Sequence, residues 1–212
     1  MKKTIRITMM ILASALMTTS FAQGLGVKGG YNSSKIRFES SFGGPKIENL
    51  PGISLGMIYN KSIGKSMAFE TGLKVDQRGY KVSYEDGNQS STGKLNLYYA
   101  DIPLLFKKYF GKKDNRIFIQ LGGDLALGVF GNSKSETTKN GETEKQNEAV
   151  DWDKDNIARV DAGLNGGLGY NFRKFEFGVS YYYGMISVDA GSNNAGSFNR
   201  TIGVGATYFF NK

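Results

Sequence analysis

The chain contains no cysteine, no histidine and only three prolines in 212 residues. Without cysteine there is no disulfide framework, and without cysteine or histidine there is no Cys/His zinc site. A Ser-His-Asp or Cys-His catalytic arrangement lacks its base. Helix-period runs are scarce as well. What is abundant is glycine, at 29 residues, together with 12 tyrosines and 14 phenylalanines. Many glycines, many aromatics and few helix-forming runs lean towards an all-β protein.

Lys2, Lys3 and Arg6 precede an uncharged, mostly apolar stretch from Ile7 to Met17. Ser20 and Ala22 then provide small residues at the −3 and −1 positions of a cut after Ala22. This is the layout of a secretory signal peptide. The apolar run falls short of the ~20 residues of a spanning helix, and no cysteine follows the cut to carry a lipid. The expected organisation is therefore a signal peptide over 1–22 and one barrel domain over 23–212. Removing the three basic residues leaves 24 Lys+Arg against 19 Asp+Glu, a net of +5, which does not argue for a nucleic-acid partner.

The mature chain alternates with period two. Leu25, Val27 and Tyr31 share one parity; Ile53, Leu55, Met57 and Tyr59 form the next run, and Phe69, Leu73 and Val75 the third. A parity break near Gly79, before Tyr80, Val82 and Tyr84, would suit a β-bulge. Leu95, Leu97 and Tyr99 lead into 101–106, where both faces look apolar and the register stays open. Ile117 to Val129, Val160 to Tyr170, Phe175 to Tyr183 and Ile202 to Phe210 complete eight expected strands. Each has about the 9–11 residues of a tilted membrane strand.

The connections alternate long and short: 34–51, 63–66, 85–93, 111–115, 131–156, 171–174 and 187–197. An up-and-down barrel across an outer membrane does this, with long loops outside, short turns and both termini in the periplasm. Residues 131–156 carry four lysines against seven carboxylates and little hydrophobicity, so much of that segment is expected to be mobile.

Alternation does not say which face is wet, because a soluble lipid-binding barrel alternates too. The less apolar parity is rich in glycine and carries Lys28, Glu70, Lys74, Asp124, Arg159, Asp161 and Glu176. Small residues and pairing charges suit a cramped interior. Aromatics on the apolar parity gather near strand ends: Tyr31, Tyr59, Tyr84, Tyr109, Tyr170, Phe175, Tyr183, Tyr208 and Phe210. That is the girdle of a membrane–water interface. The expectation is an all-β, eight-stranded antiparallel up-and-down transmembrane β-barrel with its apolar face to outer-membrane lipid.

Residues 97–110 (Leu-Tyr-Tyr-Ala-Asp-Ile-Pro-Leu-Leu-Phe-Lys-Lys-Tyr-Phe), the Gly122-Gly123 strand and the closing 203–210 resemble the PorT-like outer-membrane β-barrel family. The resemblance implies an eight-stranded barrel of the kind loosely termed "porin family". It implies no function for this member, although some relatives serve in protein secretion to the cell surface. The chain departs from barrels that end on the aromatic itself, since Asn211-Lys212 follow Phe210.

Candidate chemistry is thin. Asp151, Asp153 and Asp155 alternate like the start of a calcium loop, but Asn156 stands where Gly is needed and Ala162 where Glu is needed. Trp152, the single tryptophan, reads as an interface anchor. Asp124, Arg159, Asp161 and Glu176 read as a salt-bridged plug, because no histidine is present to act as base. The glycine doublets precede no helix pattern and carry no Lys-Ser/Thr ending, so they are not phosphate loops. Lys112, Lys113, Arg116, Arg173 and Lys174 make the short turns basic, either against headgroups or simply to keep the turns wet. No catalytic, cofactor or metal residue is assigned. The expected partners are outer-membrane lipid, the barrel assembly machinery and proteins met through loops 34–51 and 131–156. The expected role is non-enzymatic, through those loops or as a scaffold in surface assembly or secretion. A narrow porin-like channel and a soluble periplasmic lipid-binding barrel are the alternatives.

Overall fold

The computed structural model describes residues 24–38, 46–86, 89–112, 114–139, 141–191 and 196–210. The expected signal peptide, its cut and the terminal Asn211-Lys212 lie outside the described residues, as do Lys113 and the doublet Gly43-Gly44. Among the described residues ten strands form one sheet. They are β1 (Leu25–Phe38), β2 (Lys46–Glu48), β3 (Leu50–Ile63), β4 (Met67–Asp86), β5 (Gln89–Lys112), β6 (Asn115–Lys139), β7 (Glu142–Ala149), β8 (Val160–Phe172), β9 (Phe175–Ser187) and β10 (Ser197–Phe209).

Eight of them close a ring in the order β4-β3-β1-β10-β9-β8-β6-β5, with β4 pairing β5 to complete it. All pairings are antiparallel. The first and last strands meet from Gly26↔Phe209 to Phe38↔Ser197. Closure leaves no open edge within the ring, which a membrane requires because lipid cannot satisfy backbone groups.

The apolar parity faces outward. Leu125, Leu164 and Val179 are 53, 54 and 47% exposed, whereas Asp124 and Asp161 are 1 and 2% exposed. A soluble barrel that binds lipid inside would show the reverse, so that reading falls. Aromatics mark both rims of the wall: Phe175 lies 5.1 Å from Tyr208 near the short turns, and Tyr98 stacks on Phe130 at 4.2 Å near the long connections.

Three expectations need correction. Tyr109 is not in the girdle; it is buried and points inward. Gly79 is not a bulge. β4 pairs β5 in unbroken register there, through Arg78↔Leu97, Gly79↔Asn96 and Tyr80↔Leu95. The polarity of the wall inverts instead: below Gly79 the apolar residues face lipid, and above it Tyr80 and Leu95 pack inward on the core. Gly79 has φ +144°, and a Cβ there would lie 1.9 Å from the carbonyl oxygen of Leu95. The register shift lies between β5 and β6, at Tyr98/Tyr99, where Val129 is the extra residue between Gly128 and Phe130.

The third correction concerns 131–156, which is largely sheet rather than mobile loop. β6 runs on to Lys139 and hairpins into β7, from Asn132↔Ala149 to Lys139↔Glu142. The 85–93 connection is likewise mostly strand, paired down to Asp86↔Gln89. With β2 paired to β4 from Lys46↔Ser83 to Glu48↔Lys81, a sheet of order β2-β4-β5-β6-β7 projects beyond the ring. Cross-strand polar pairs hold this sheet without any local hydrophobic signal: Thr138 with Thr143 at 3.0 Å, Ser91 with Thr137 at 3.2 Å and Lys145 with Glu136 at 3.2 Å.

Candidate functional site

Among the described residues, chemistry-bearing side chains converge in the bore. Antiparallel pairing brings one inward residue from every second position of each strand to the axis. Near the short turns, Lys107 on β5 bridges Glu70 on β4 and Glu176 on β9, the latter at 2.7 Å. Lys28 on β1 reaches Glu70 at 3.1 Å. The Tyr109 hydroxyl donates to Glu176 Oε1 at 2.9 Å and accepts from Asn60 Nδ2 at 3.0 Å.

One layer further up, Lys74 contacts Asp76 at 2.7 Å, Asp101 at 3.3 Å and Asp124 at 3.5 Å, on β4, β5 and β6. Arg78 contacts Asp76 at 3.4 Å, Asp161 on β8 at 3.0 Å, and Asp101. Its guanidinium carbon sits 4.1 Å from the centre of the Tyr182 ring. Four cations thus face six carboxylates, and amides make up the difference. Asn165 donates to Asp124 at 2.7 Å, and Asn199 donates to Asp161 at 2.8 Å. Burying this many charges is tolerable only because they are paired and hydrogen-bonded.

Above the ions sits an apolar lid of Ile36, Leu97, Tyr99, Ala126 and Val188, with Trp152 and Ile157 packed on it. Trp152 meets Tyr99 edge-on at 5.9 Å. It is therefore a stopper for the bore and not an interface anchor. The acidic run beside it holds this turn. Asp151 Oδ1 accepts the backbone N–H of Asp153 and of Lys154, both at 3.3 Å, and Asp155 Oδ2 accepts the N–H of Asp151 at 2.9 Å. Between the ionic layers remains a cavity of about 70 Å³, lined by Lys28, Lys74, Asp124 and Glu176 among others. That is room for a few waters. The short-turn end opens into a basin of about 1200 Å³.

Of the charges assigned inward from sequence, Lys28, Glu70, Lys74, Asp124, Asp161 and Glu176 do meet in the bore. Arg159 does not: it is exposed at the entry to β8, and its Nε donates to the Gly128 carbonyl at 3.0 Å. Asp76, Arg78, Asp101 and Lys107 were missed. Asp76 and Arg78 continue the parity of Lys74, a signal the supposed break at Gly79 obscured. Asp101 and Lys107 belong to the 101–106 region, whose two faces both read as apolar.

A closed antiparallel ring with a lipid-facing apolar wall and a charged, packed bore defines an integral outer-membrane β-barrel. The profile of a family described as "Outer membrane protein beta-barrel domain" matches residues 21–190, and the chain belongs to that family. Solved structures similar to it include Neisserial surface protein A from Neisseria, at 14% identity and a TM-score of 0.46, covering 90% of this chain and 100% of that one. OprG from Pseudomonas aeruginosa is similar at 13% identity and a TM-score of 0.42, covering 90% and 98%. Ail, the attachment invasion locus protein of Yersinia pestis, is similar at 15% identity and a TM-score of 0.36, covering 87% and 99%. A comparison with curated proteins finds no match.

Proposed function

We propose that the protein is a sealed, non-enzymatic barrel that anchors a projecting β-sheet at the cell surface, where the sheet docks partners in surface assembly or secretion. The ionic plug carries this reading. Arg78 ties β4 to β8, and Lys107 ties β5 to β9, across the lumen. Trp152 and Tyr99 close the lid above them. A solute would have to break buried ion pairs to pass, which disfavours the channel alternative. The sheet of β2 and the distal parts of β4 to β7 is a further large surface, and among the described residues β7 pairs with β6 alone. Long connections outside and short turns with both termini in the periplasm follow the usual topology of such barrels. The likeness of Asp101-Ile102-Pro103-Leu104-Leu105 to the PorT-like segment supports a role in secretion over one in transport of small solutes.

Recording in planar bilayers tests it. The barrel refolded from the mature chain should show no steady conductance. A porin-sized conductance would refute the sealed-bore reading and install the channel instead.

A further inference from the structure

Beyond the apolar wall, the outward face of the projecting sheet carries three rows in succession. The first is aromatic, the stacked pair Tyr98 and Phe130. The second is amide: Gln77 Nε2 donates to Asn96 Oδ1 at 3.1 Å, and Asn96 Nδ2 donates to Asn132 Oδ1 at 2.9 Å. The third is cationic. Lys81 stands directly opposite Lys94, and Lys94 directly opposite Lys134. Residues directly opposite across an antiparallel pair have Cβ atoms ~4.5–5.5 Å apart, and like charges so placed destabilise the sheet. Among the described residues only Lys81 has a carboxylate partner, Glu48 at 2.8 Å. Lys94 and Lys134 are exposed and belong to no ion pair there.

Elsewhere on the rim the cations are arranged differently. Lys35 on β1 faces Arg200 on β10 in register, just beyond the outward Tyr31 and Ile202. The Arg200 guanidinium is itself buried, stacked on the Tyr183 ring at 3.4 Å and donating to the Gly184 and Asn199 carbonyls at 2.8 and 2.9 Å. The row of opposed lysines on β4, β5 and β6 therefore sits where the hydrocarbon ends, next to aromatics. Same-face positions repeat every ~6.7 Å along a strand. The lysine row is thus ~10 Å above the aromatic pair at a strand tilt of ~40°. Phospholipid headgroups extend only ~5–8 Å beyond the hydrocarbon on each side.

We propose that this wall binds the phosphorylated glycolipid of the outer leaflet, the amide row hydrogen-bonding its sugars and the lysine row neutralising its phosphates. The assignment rests on the reading above in one respect: the long-connection end faces outside. Height favours a sugar-phosphate headgroup over a phospholipid, with the aromatic row at the level of the acyl chains and the amide and ammonium rows at the level of the phosphorylated sugars.

The mature barrel in mixed micelles with bisphosphorylated lipid A, examined by native mass spectrometry, tests the site. Wild-type protein should retain lipid A, and Lys94→Ala with Lys134→Ala should lower retention at least ten-fold. Heat-modifiable gel mobility reports that this surface variant is folded. Dephosphorylated lipid A should not be retained. Equal retention by the double variant would overturn the proposal. So would equal competition by phosphatidylglycerol, which would make the row a general anion surface, or by a soluble sulfated sugar, which would give it to a polyanion outside the membrane. Topology is read separately: Lys134→Cys should react with an impermeant thiol reagent on intact cells. Labelling only after permeabilisation would overturn the outward orientation, whatever the micelle result.

Discussion

The indole of Trp152 occupies the space that a side chain at Gly128 would need. A Cβ at Gly128 would lie 2.3 Å from Cη2 and 2.6 Å from Cζ2 of that ring. The absence of a side chain on β6 therefore decides where the loop before β8 is fastened. Gly128→Val should expel the ring from the lid while leaving the ring of strands intact. Because Trp152 is the only tryptophan, its emission should shift to the red with little change in the far-ultraviolet spectrum. An unchanged emission maximum would show that the indole does not seat there.

Arg78 is 1% exposed and touches carboxylates on three strands. Arg78→Met leaves Asp161 buried without its cation and Asp101 with Lys74 alone, and breaking a buried pair from one side costs about 3–5 kcal/mol. Urea unfolding of the barrel in lipid, followed by gel mobility, should show a loss of that order. Adding Asp161→Asn to Arg78→Met should restore part of it, because one uncompensated charge disappears. A double variant no more stable than the single one would argue that Asp161 is compensated by Asn199 alone.

Period-two alternation, the alternating connection lengths and the glycine-rich parity made the ring and its orientation readable, because lipid outside and a narrow bore inside each impose a strong rule on every second residue. The rule fails where the sheet leaves the membrane. Tyr80, Leu95 and Leu97 look like members of the lipid-facing set, yet they face inward because water now surrounds the wall. β7 reads as a solvated segment because every residue in it is exposed, so no apolar periodicity can announce the strand. The bore was half legible: Glu70, Lys74, Asp124, Asp161 and Glu176 follow from parity. Arg159 misled because its position at the edge of β8 lies just outside the strand.

The Asp151 turn supplies a pH dependence. The hydrogen bond from Lys154 holds the Asp151 carboxyl below its ordinary range, helped by the backbone N–H of Lys154. A depressed folded value means the ionised form is favoured in the turn. Its contribution is full above the ordinary aspartate value of about 3.9 and is lost as pH falls through the depressed one. Trp152 emission should therefore be constant from neutral pH down to about 4 and redden only below it. Asp151→Asn should redden it at neutral pH. A midpoint near pH 6 would assign the transition to some other group.

The order Lys2, Lys3, Arg6, an apolar stretch and Ser20-Phe21-Ala22 leads us to expect a mature protein that begins at Gln23. Intact mass of outer-membrane material should correspond to residues 23–212. Retention of 1–22 would mean that the segment anchors the chain.

Neighbouring residues on β8 separate the two faces most sharply. Leu164 is outward and exposed, while Gly163 is buried against the Tyr183 carbonyl, where a Cβ would come within 2.2 Å. A charge on the lipid face near mid-membrane costs roughly 2–4 kcal/mol, so Leu164→Arg should fold poorly into bilayers. Gly163→Arg should fail too, but through overfilling a packed bore. Folding yield alone cannot tell these apart, and cysteine scanning can, since the chain has no cysteine of its own. A fluorophore on Leu164→Cys or Val179→Cys should be quenched by a lipid-dissolved agent and shielded from a water-soluble one. The two residues face the same side of the wall, as Ile202 and Val204 do on β10 beyond β9. Quenching of both from water but not from lipid would place the apolar parity away from the bilayer and overturn the membrane-spanning assignment.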